Sequence, residues 1–301
     1  MNYGRGWYQI GFARDFLAPI TALDFGPRRL MVVRDEGTGS LRVFDAVCPH
    51  RGAHLAQGRC VEGAVVCPFH GVHVRLGSSG TTEYSVREYP VEHAGEMTLV
   101  RIGEAEAPDL LAAIRALAAD HVFYAGFSME AETTIEMVME NGFDSAHFPA
   151  VHGVLEEPAL EVAEGPSGEL VARGEFRIPG SHWGSGPEGF VRAAYTARAF
   201  SPGVVIAELR GGGAFNYAIV TTALPAREPR RCRIHLTVGL PKAGAHAPTP
   251  WFAKALLDAS RDGLEKDRAI WNAMDPSVVP IWRAQDVAPI QFAKFCRGFR
   301  A

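Results

Sequence analysis

The sequence predicts an α+β protein in two parts, and three observations carry that reading. Residues 1–105 are dense in short apolar runs separated by Gly, Pro and Asp; one amphipathic helical stretch comes next; from about Phe123 onward strand-like and helix-like patterns mix. The first part, 1–105, reads as an all-β domain and the second, 106–301, as a helix-and-antiparallel-sheet domain.

Taken in order, the N-terminal runs are LMVV, LRVF, AVV, VHVRL and MTLVRI, divided by turn clusters such as DEGTGS and GSSG. In PDLLAAIRALAAD, Pro108 and Asp109 open a helix with Leu110, Leu111, Ile114, Leu117 and Ala118 on one face, suited to packing between the two parts. A helical segment is expected around residue 140. FVRAAYTARAF, VVIAEL, YAIVTTAL and RCRIHLTVGL supply strands, and a long helix is expected from about Pro250 to Met274. LPAREPRR and PKAGAHAPTP read as exposed loops. The sequence contains no internal repeat and no low-complexity tract.

Bulk properties exclude several function classes. With 301 residues, 47 % of them apolar, the chain can bury sizeable cores unaided. A formal charge of -4 offers no basic field for nucleic acid. No run approaches the roughly 18 apolar residues of a membrane span. The start, MNYGRGWYQIGF, lacks the apolar core of a signal peptide, so the cytoplasm is the expected compartment. Five cysteines, an odd number, do not resemble a secreted disulfide framework; reduced thiolates free to bind metal fit better.

Two clusters carry chemistry. In CPHRGAHLAQGRCVEGAVVCPFHG the pairs Cys48/His50 and Cys67/His70 stand sixteen residues apart, each in a Pro-containing turn followed by Gly52 or Gly71. Composition alone leaves two readings open, a zinc tetrahedron or a [2Fe-2S] cluster with its ligands split between two irons. Two similar loops closing from opposite sides, with backbone N–H groups free to donate to bridging sulfides, favour the cluster. Cys60, His54 and His73 lie nearby without belonging to either pair. The second cluster, IEMVMENGFDSAHFPAVHG, presents Glu140, Asn141, Asp144, His147 and His152. Asp144 and His147 are expected to share a helix face. His147 and His152 stand about 140° apart on a regular helix, so Pro149 is expected to break it and bring His152 back. Two imidazoles and a carboxylate on one face of an iron leave its other positions open for dioxygen and substrate.

C-x-H-x16-C-x-x-H, with CPHRGA and CPFHG around it, resembles the Rieske motif, and N-x-x-D-x-x-H-x4-H resembles the mononuclear iron motif of the Rieske non-haem iron oxygenase α subunits. Together with a C-terminal WRAQDVAPIQFAKFCRGF similar to the family's closing segment, the resemblance covers most of the chain. ENGFDSAHFPAVHG and IWNAM are most similar to the branch of 3-ketosteroid 9α-hydroxylase and the cholesterol 7-desaturases. Ala53 and Phe69 stand where respiratory Rieske proteins carry a disulfide, and Val72 where the oxygenases usually have Trp.

The resemblance implies a Rieske [2Fe-2S] domain over 1–105, with the two Cys on one iron and the two His on the other, and a mononuclear iron catalytic domain over 106–301. It also implies a distant third iron ligand. WFAKALLDASRDGLEKDRAIWNAM offers Asp258, Asp262 and Asp267; only Asp267 falls within the stripe of Leu256, Leu257, Ser260, Leu264, Trp271 and Met274. By the same implication His147, His152 and Asp267 ligate Fe(II), Asn141 lies near it, and Asp144 links the iron site to His70 of the partner subunit in a head-to-tail homotrimer.

The expected activity is oxidation, foremost monohydroxylation, of an apolar small molecule with O2, polycyclic steroid- or polyketide-like compounds being one option. Desaturation, demethylation and dihydroxylation use the same metals. No Gly-rich dinucleotide fingerprint follows a strand, and GGG at 211–213 has the wrong spacing, so a separate NAD(P)H-dependent reductase or ferredoxin is expected to supply electrons. The rival from another class is an electron-transfer or zinc-stabilised binding module with a silent second domain. The stretch from 155 to 250 is short for a full substrate cavity, whose candidate residues are His182, Trp183, Phe190, Phe215 and Tyr217.

Overall fold

A computed structural model describes residues 3–77, 84–179, 189–211, 216–242 and 249–300, and the elements below are those of the described residues. The first hundred residues contain only strands and single 3-10 turns: β1 (Gly6–Phe12), β2 (Ile20–Phe25), β3 (Arg28–Arg34), β4 (Leu41–Asp45), β5 (Arg59–Val61), β6 (Ala64–Val66), β7 (His73–Leu76), β8 (Ser85–Val86), β9 (Glu88–Tyr89), β10 (Val91–Ala94) and β11 (Met97–Ile102). They form three small sheets, ordered β1-β11-β10, β2-β3-β4-β9 and β5-β6-β7-β8.

The remainder contains α1 (Leu110–Asp120), β12 (His121–Ala131), α2 (Ile135–Glu140), α3 (His147–His152), β13 (Glu161–Glu164), β14 (Leu170–Pro179), β15 (Phe190–Ser201), β16 (Val204–Gly211), β17 (Asn216–Pro225), β18 (Cys232–Pro241), α4 (Pro250–Ala273) and α5 (Val287–Arg297). One antiparallel sheet of seven strands, ordered β12-β18-β17-β16-β15-β14-β13, is its frame. The α+β class and the all-β character of the N-terminal part are as the sequence predicts.

Strand alternation assigns the two faces of this sheet. Ile206, Ala218 and Val220 point to one side, where they pack with Leu110, Ile114 and Leu117 of α1 and with Phe12, Met97 and Leu99 of β1 and β11. The α1 stripe therefore does pack between the two parts. Its N-cap is Asp109, which accepts a hydrogen bond from the Ala112 N–H. A buried polar contact crosses the same interface, the Thr222 hydroxyl donating to Gln9 Oε1 at 3.1 Å; within the sheet, His235 Nδ1 meets Ser128 Oγ of the neighbouring strand at 2.8 Å.

Val205, Tyr217, Ile219 and Leu236 point to the opposite face, beneath α4. Thr249 caps α4, accepting from Phe252 N–H, and Pro250 occupies its first position, where no backbone donor is needed. The helix comes down on β12 at Gly126, where a Cβ would lie 2.5 Å from both Leu236 O and Leu257 Cδ2. Only a residue without a side chain permits that approach.

Candidate metal centres

The four residues expected to hold the cluster, Cys48, His50, Cys67 and His70, sit on two matched turns. The Cys48 N–H donates to Ala53 O at 2.8 Å and the Gly52 N–H to Cys48 O at 2.9 Å; the Cys67 N–H donates to Val72 O at 2.8 Å and the Gly71 N–H to Cys67 O at 3.0 Å. Gly52 and Gly71 have φ of +76° and +69°, and a Cβ at either would meet nothing within 4 Å. The turns thus need Gly for its left-handed backbone and not for space. Cys48 and Cys67 are buried at 1 % and 2 % exposure, in a cluster with Met31, Phe44, Leu55 and Val74.

His50 and His70 are exposed at the tips, ring centroids 4.7 Å apart. Thiols inside and imidazoles outside is the arrangement a two-iron cluster with split ligands requires. Among the described residues, the side chains that converge as a single ion would demand are found elsewhere, which disfavours a zinc tetrahedron on these loops. Val72 packs partly buried against this cluster, Cys60 lies half-buried in β5, and His54 Nδ1 accepts from the Ala56 N–H.

The convergent trio is His147, His152 and Asp267, whose ligand atoms all lie within 4.8 Å of one another. His152 Nε2 stands 3.2 Å from Asp267 Oδ1, and the two imidazoles meet edge to face with centroids 5.0 Å apart. Asp267 is buried at 6 % exposure, while Asp258 and Asp262 face solvent. Helical phase picks out the carboxylate that converges with the two imidazoles. Met274 does not continue the stripe: the helix ends at Ala273, and Met274 is an extended, exposed cap.

His147 Nδ1 contacts the Asp144 carbonyl oxygen at 2.6 Å. A carbonyl only accepts, so Nδ1 carries the proton and Nε2 is left as the ligating atom. Burial pushes the His147 imidazole below its ordinary value, which keeps it in the neutral, metal-binding form. The chemistry of this donor set, two neutral imidazoles and a carboxylate, fits ferrous iron with open positions.

Two local expectations are corrected. Pro149 does not break the helix: α3 runs through it from His147 to His152, because Pro149 lies in the first turn, where its missing N–H has no intrahelical partner. The imidazoles carry their ligating nitrogens far enough beyond Cβ to meet despite the helical offset. Asp144 is not on a helix face with His147 but in the turn before α3. There its Oδ1 accepts from the Ala146 N–H at 3.1 Å and its Oδ2 stands 3.9 Å from His147 Nδ1. It is one-third exposed, so one side of the carboxylate faces outward.

A cavity of about 350 Å³ opens beside the trio, between α4 and the sheet, and Asn141 lines it with all three ligands. The segment from 155 to 250 therefore does provide cavity walls, because β14 to β18 each contribute one face of a strand. Of the suggested cavity residues, Tyr217 lines it; Phe190 lies instead under Arg177 and Arg192; His182, Trp183 and Phe215 lie outside the described residues.

Sequence reasoning missed two residues. The Tyr195 hydroxyl donates to Gly142 O at 2.9 Å and ties the ligand-bearing turn to β15, with its ring stacked on Phe176. His152 lies against α4 at Gly263, where a Cβ would stand in ordinary van der Waals contact with the ring at 3.6 Å. An isolated Gly inside a long helix was the available signal for the second; the first had none.

Two family models match the chain, the Rieske [2Fe-2S] domain over residues 6–90 and the 3-ketosteroid 9α-hydroxylase C-terminal domain over residues 103–294. The chain is 26 % identical over 229 residues to the oxygenase component of 3-ketosteroid-9-alpha-monooxygenase of Rhodococcus rhodochrous, covering 69 % of this chain and 56 % of that protein. It is 30 % identical over 162 residues to a cholesterol 7-desaturase of Bombyx mori, covering 50 % of this chain and 36 % of that protein. Each match thus spans about half or less of the curated relative's length. A crystal structure of dicamba monooxygenase bound to 3,6-dichlorosalicylic acid superposes with a TM-score of 0.76 at 16 % identity, covering 98 % of this chain and 96 % of that one, which establishes the shared fold.

Proposed function

This chain belongs to the Rieske oxygenase family that carries the 3-ketosteroid 9α-hydroxylase C-terminal domain, and on that premise we propose that it uses O2 and externally supplied electrons to monohydroxylate an apolar small molecule. The observation that carries the reading is the convergence of His147, His152 and Asp267 at the wall of an apolar cavity. When bound, a [2Fe-2S] cluster on Cys48, Cys67, His50 and His70 would supply single-electron transfer, and an iron on His147, His152 and Asp267 would supply dioxygen activation.

The protein's own contribution is placement and exclusion of water. Asp267 enters from α4 and the two histidines from α3, so the site is held by two rigid helices and not by a loop. Phe148, Phe176, Leu236, Leu256 and Trp271 keep the cavity dry around the reacting C–H bond. Asn141 faces the same space as an uncharged hydrogen-bonding group.

Asp144 bonds the His147 turn from one side and is open on the other, which suits it to receive His70 of the partner subunit in a homotrimer. A separate NAD(P)H-dependent reductase or ferredoxin is the electron source, and the cytoplasm the compartment. Among the described residues no helix is long and apolar enough to cross a membrane. The division near residue 105 is proposed as the boundary between the two catalytic units.

Anaerobically purified protein should contain about three irons and about two acid-labile sulfides per chain. Zinc without sulfide, or a colourless preparation, would remove the proposal. Desaturation is the second reading, favoured by the match to a cholesterol 7-desaturase. Mass analysis of the product separates the two, since hydroxylation adds an oxygen atom and desaturation removes two hydrogens.

A further inference from the structure

Between α2 and α3 the chain makes a turn, residues 141–146, that carries Asp144 and leads into His147. Its N–H groups are spent on α2: Gly142 donates to Met139 O at 3.2 Å, and Phe143 and Asp144 both donate to Glu140 O, at 2.7 and 2.9 Å. Carbonyls past the end of a helix have no such partners and need donors from elsewhere. The Gly142 carbonyl accepts from the Tyr195 hydroxyl at 2.9 Å, and the Asp144 carbonyl accepts from His147 Nδ1 at 2.6 Å. Between them Phe143, fully buried, stacks on Phe292 of α5. Three successive residues are thus fixed to the sheet, to α5 and to an expected iron ligand.

Tyr195 is itself firmly held. It sits on β15, which pairs on both sides, with β14 at Gly174 and with β16 at Leu209. Its ring stacks on Phe176 with centroids 4.4 Å apart and meets Phe148 of α3 edge to face at 5.9 Å. The turn comes down onto it because residue 142 is Gly: a Cβ there would stand 3.3 Å from Val205 Cγ1, closer than side chains ordinarily approach, and 3.6 Å from the Tyr195 hydroxyl. Burial raises the phenol well above its ordinary range, so the hydroxyl keeps its proton and remains a donor.

We propose that Tyr195 is a positioning residue for the iron site: by fixing the Gly142 carbonyl to the sheet, its hydroxyl keeps the Asp144 carbonyl where it orients the His147 ring, Nε2 toward His152 and Asp267. The inference rests on the metal-centre reading above and adds a group that acts through the backbone of the turn. Ring and hydroxyl have separate tasks. The ring packs the cavity wall, which Phe could do; the hydroxyl holds the turn, which Phe could not.

The test therefore compares Tyr195→Phe, which keeps the ring, with Tyr195→Leu, which removes ring and hydroxyl together. Amide hydrogen exchange of the full chain, before ferrous iron is added, should run roughly five- to tenfold faster over 141–147 in both variants, the worth of one hydrogen bond. In Tyr195→Phe the peptides of β14–β16 should exchange as in wild type. Ferrous iron added anaerobically should bind both variants roughly three- to tenfold more weakly, less than the loss expected when a ligand's direct hydrogen-bond partner is removed. The electron paramagnetic resonance of the ferrous nitric oxide adduct should depart from wild type in both. Thermal unfolding should separate them, with Tyr195→Phe close to wild type and Tyr195→Leu well below.

Wild-type exchange over 141–147 together with wild-type iron affinity in Tyr195→Phe would overturn the inference. So would faster exchange spread evenly over β14–β16, which would mark a general loosening. Tyr195→Phe decides the matter alone if the Leu variant does not fold. Ferrous iron that binds neither wild type nor variants would instead sink the metal-centre reading, and with it the inference that rests on it.

Discussion

His147 shows how one backbone contact decides what a side chain can do. Its Nδ1 is committed to the Asp144 carbonyl, so only Nε2 can face the position that His152 and Asp267 also address. Asp267 brings the only negative charge of the trio, and its loss leaves two neutral ligands. Asp267→Ala should therefore lower iron from about three to about two per chain with sulfide and the Rieske spectrum intact; joint loss of both centres would contradict this division.

A second residue-scale prediction concerns His235, whose imidazole burial holds down to about 3, with Arg233 adding to the effect. The unfolded ring takes its proton near 6.5, so between these values the unfolded state binds more protons. The stability contributed by neutral His235 is complete above about pH 6.5 and falls by about 1.4 kcal/mol per pH unit toward pH 3. Denaturant unfolding of wild type and His235→Gln across pH 4–7 should give a shallower acid slope for the variant. Parallel slopes would show that His235 is not the group responsible.

At the scale of elements, legibility depended on whether a role lies in local pattern or in contacts between distant segments. The α4 stripe was readable because one buried carboxylate among apolar neighbours breaks a local rule that only a partner can mend. Helix α5 was not among the expected elements; Pro289 sits in its first turn, and Phe292 behind it stacks on Phe143 of the turn before α3 at 5.0 Å. Pro149 in α3, which was expected to break the helix, also lies in a first turn, where position reverses the meaning of proline.

Tyr195 was beyond sequence reasoning because its partner, Gly142, is fifty-three residues away on another element. The helix–sheet contact at Gly126 is equally tertiary. Adding a Cβ there forces either Leu236 O or α4 to move, so Gly126→Ala should destabilise the protein by about 1–3 kcal/mol and lift α4 from β12. Because Asp267 rides on α4, iron affinity should fall in step. A variant as stable as wild type with full iron would show that the helix approaches the sheet differently.

Across the whole molecule, two groups among the exposed apolar residues stand out for their place, whereas others, such as Leu17 and Trp251, lie apart from both candidate sites. Phe69, 61 % exposed, stands beside His70 on one Rieske turn, and Val47 flanks Cys48 on the other. The segment after α4 presents Val278, Val279 and Trp282, with Ile281 96 % exposed. That segment leads into Arg283, whose guanidinium pairs with Asp286 at 2.6 Å and lies within the field of the more distant Glu157 and Asp144 carboxylates. Exposed apolar side chains thus flank the outer imidazoles, and a second exposed apolar strip precedes Arg283, which lies within the field of Asp144.

Two different patches that fit one another make a head-to-tail contact, which closes into a ring when the rotation allows. In the proposed trimer each subunit's Rieske turns would cover the next subunit's 278–282 strip, removing both patches from water and setting His70 of the partner subunit against Asp144. Ile281→Asp should then shift the protein from trimer toward monomer in sedimentation analysis and abolish substrate-dependent O2 uptake, while each chain keeps its full complement of iron and sulfide. Asp144→Asn separates contact from conduction: the trimer should persist, but oxidation of the reduced Rieske chromophore by O2 and substrate should slow by orders of magnitude. A monomeric Ile281→Asp protein with undiminished turnover would show that electrons reach the iron within a single chain.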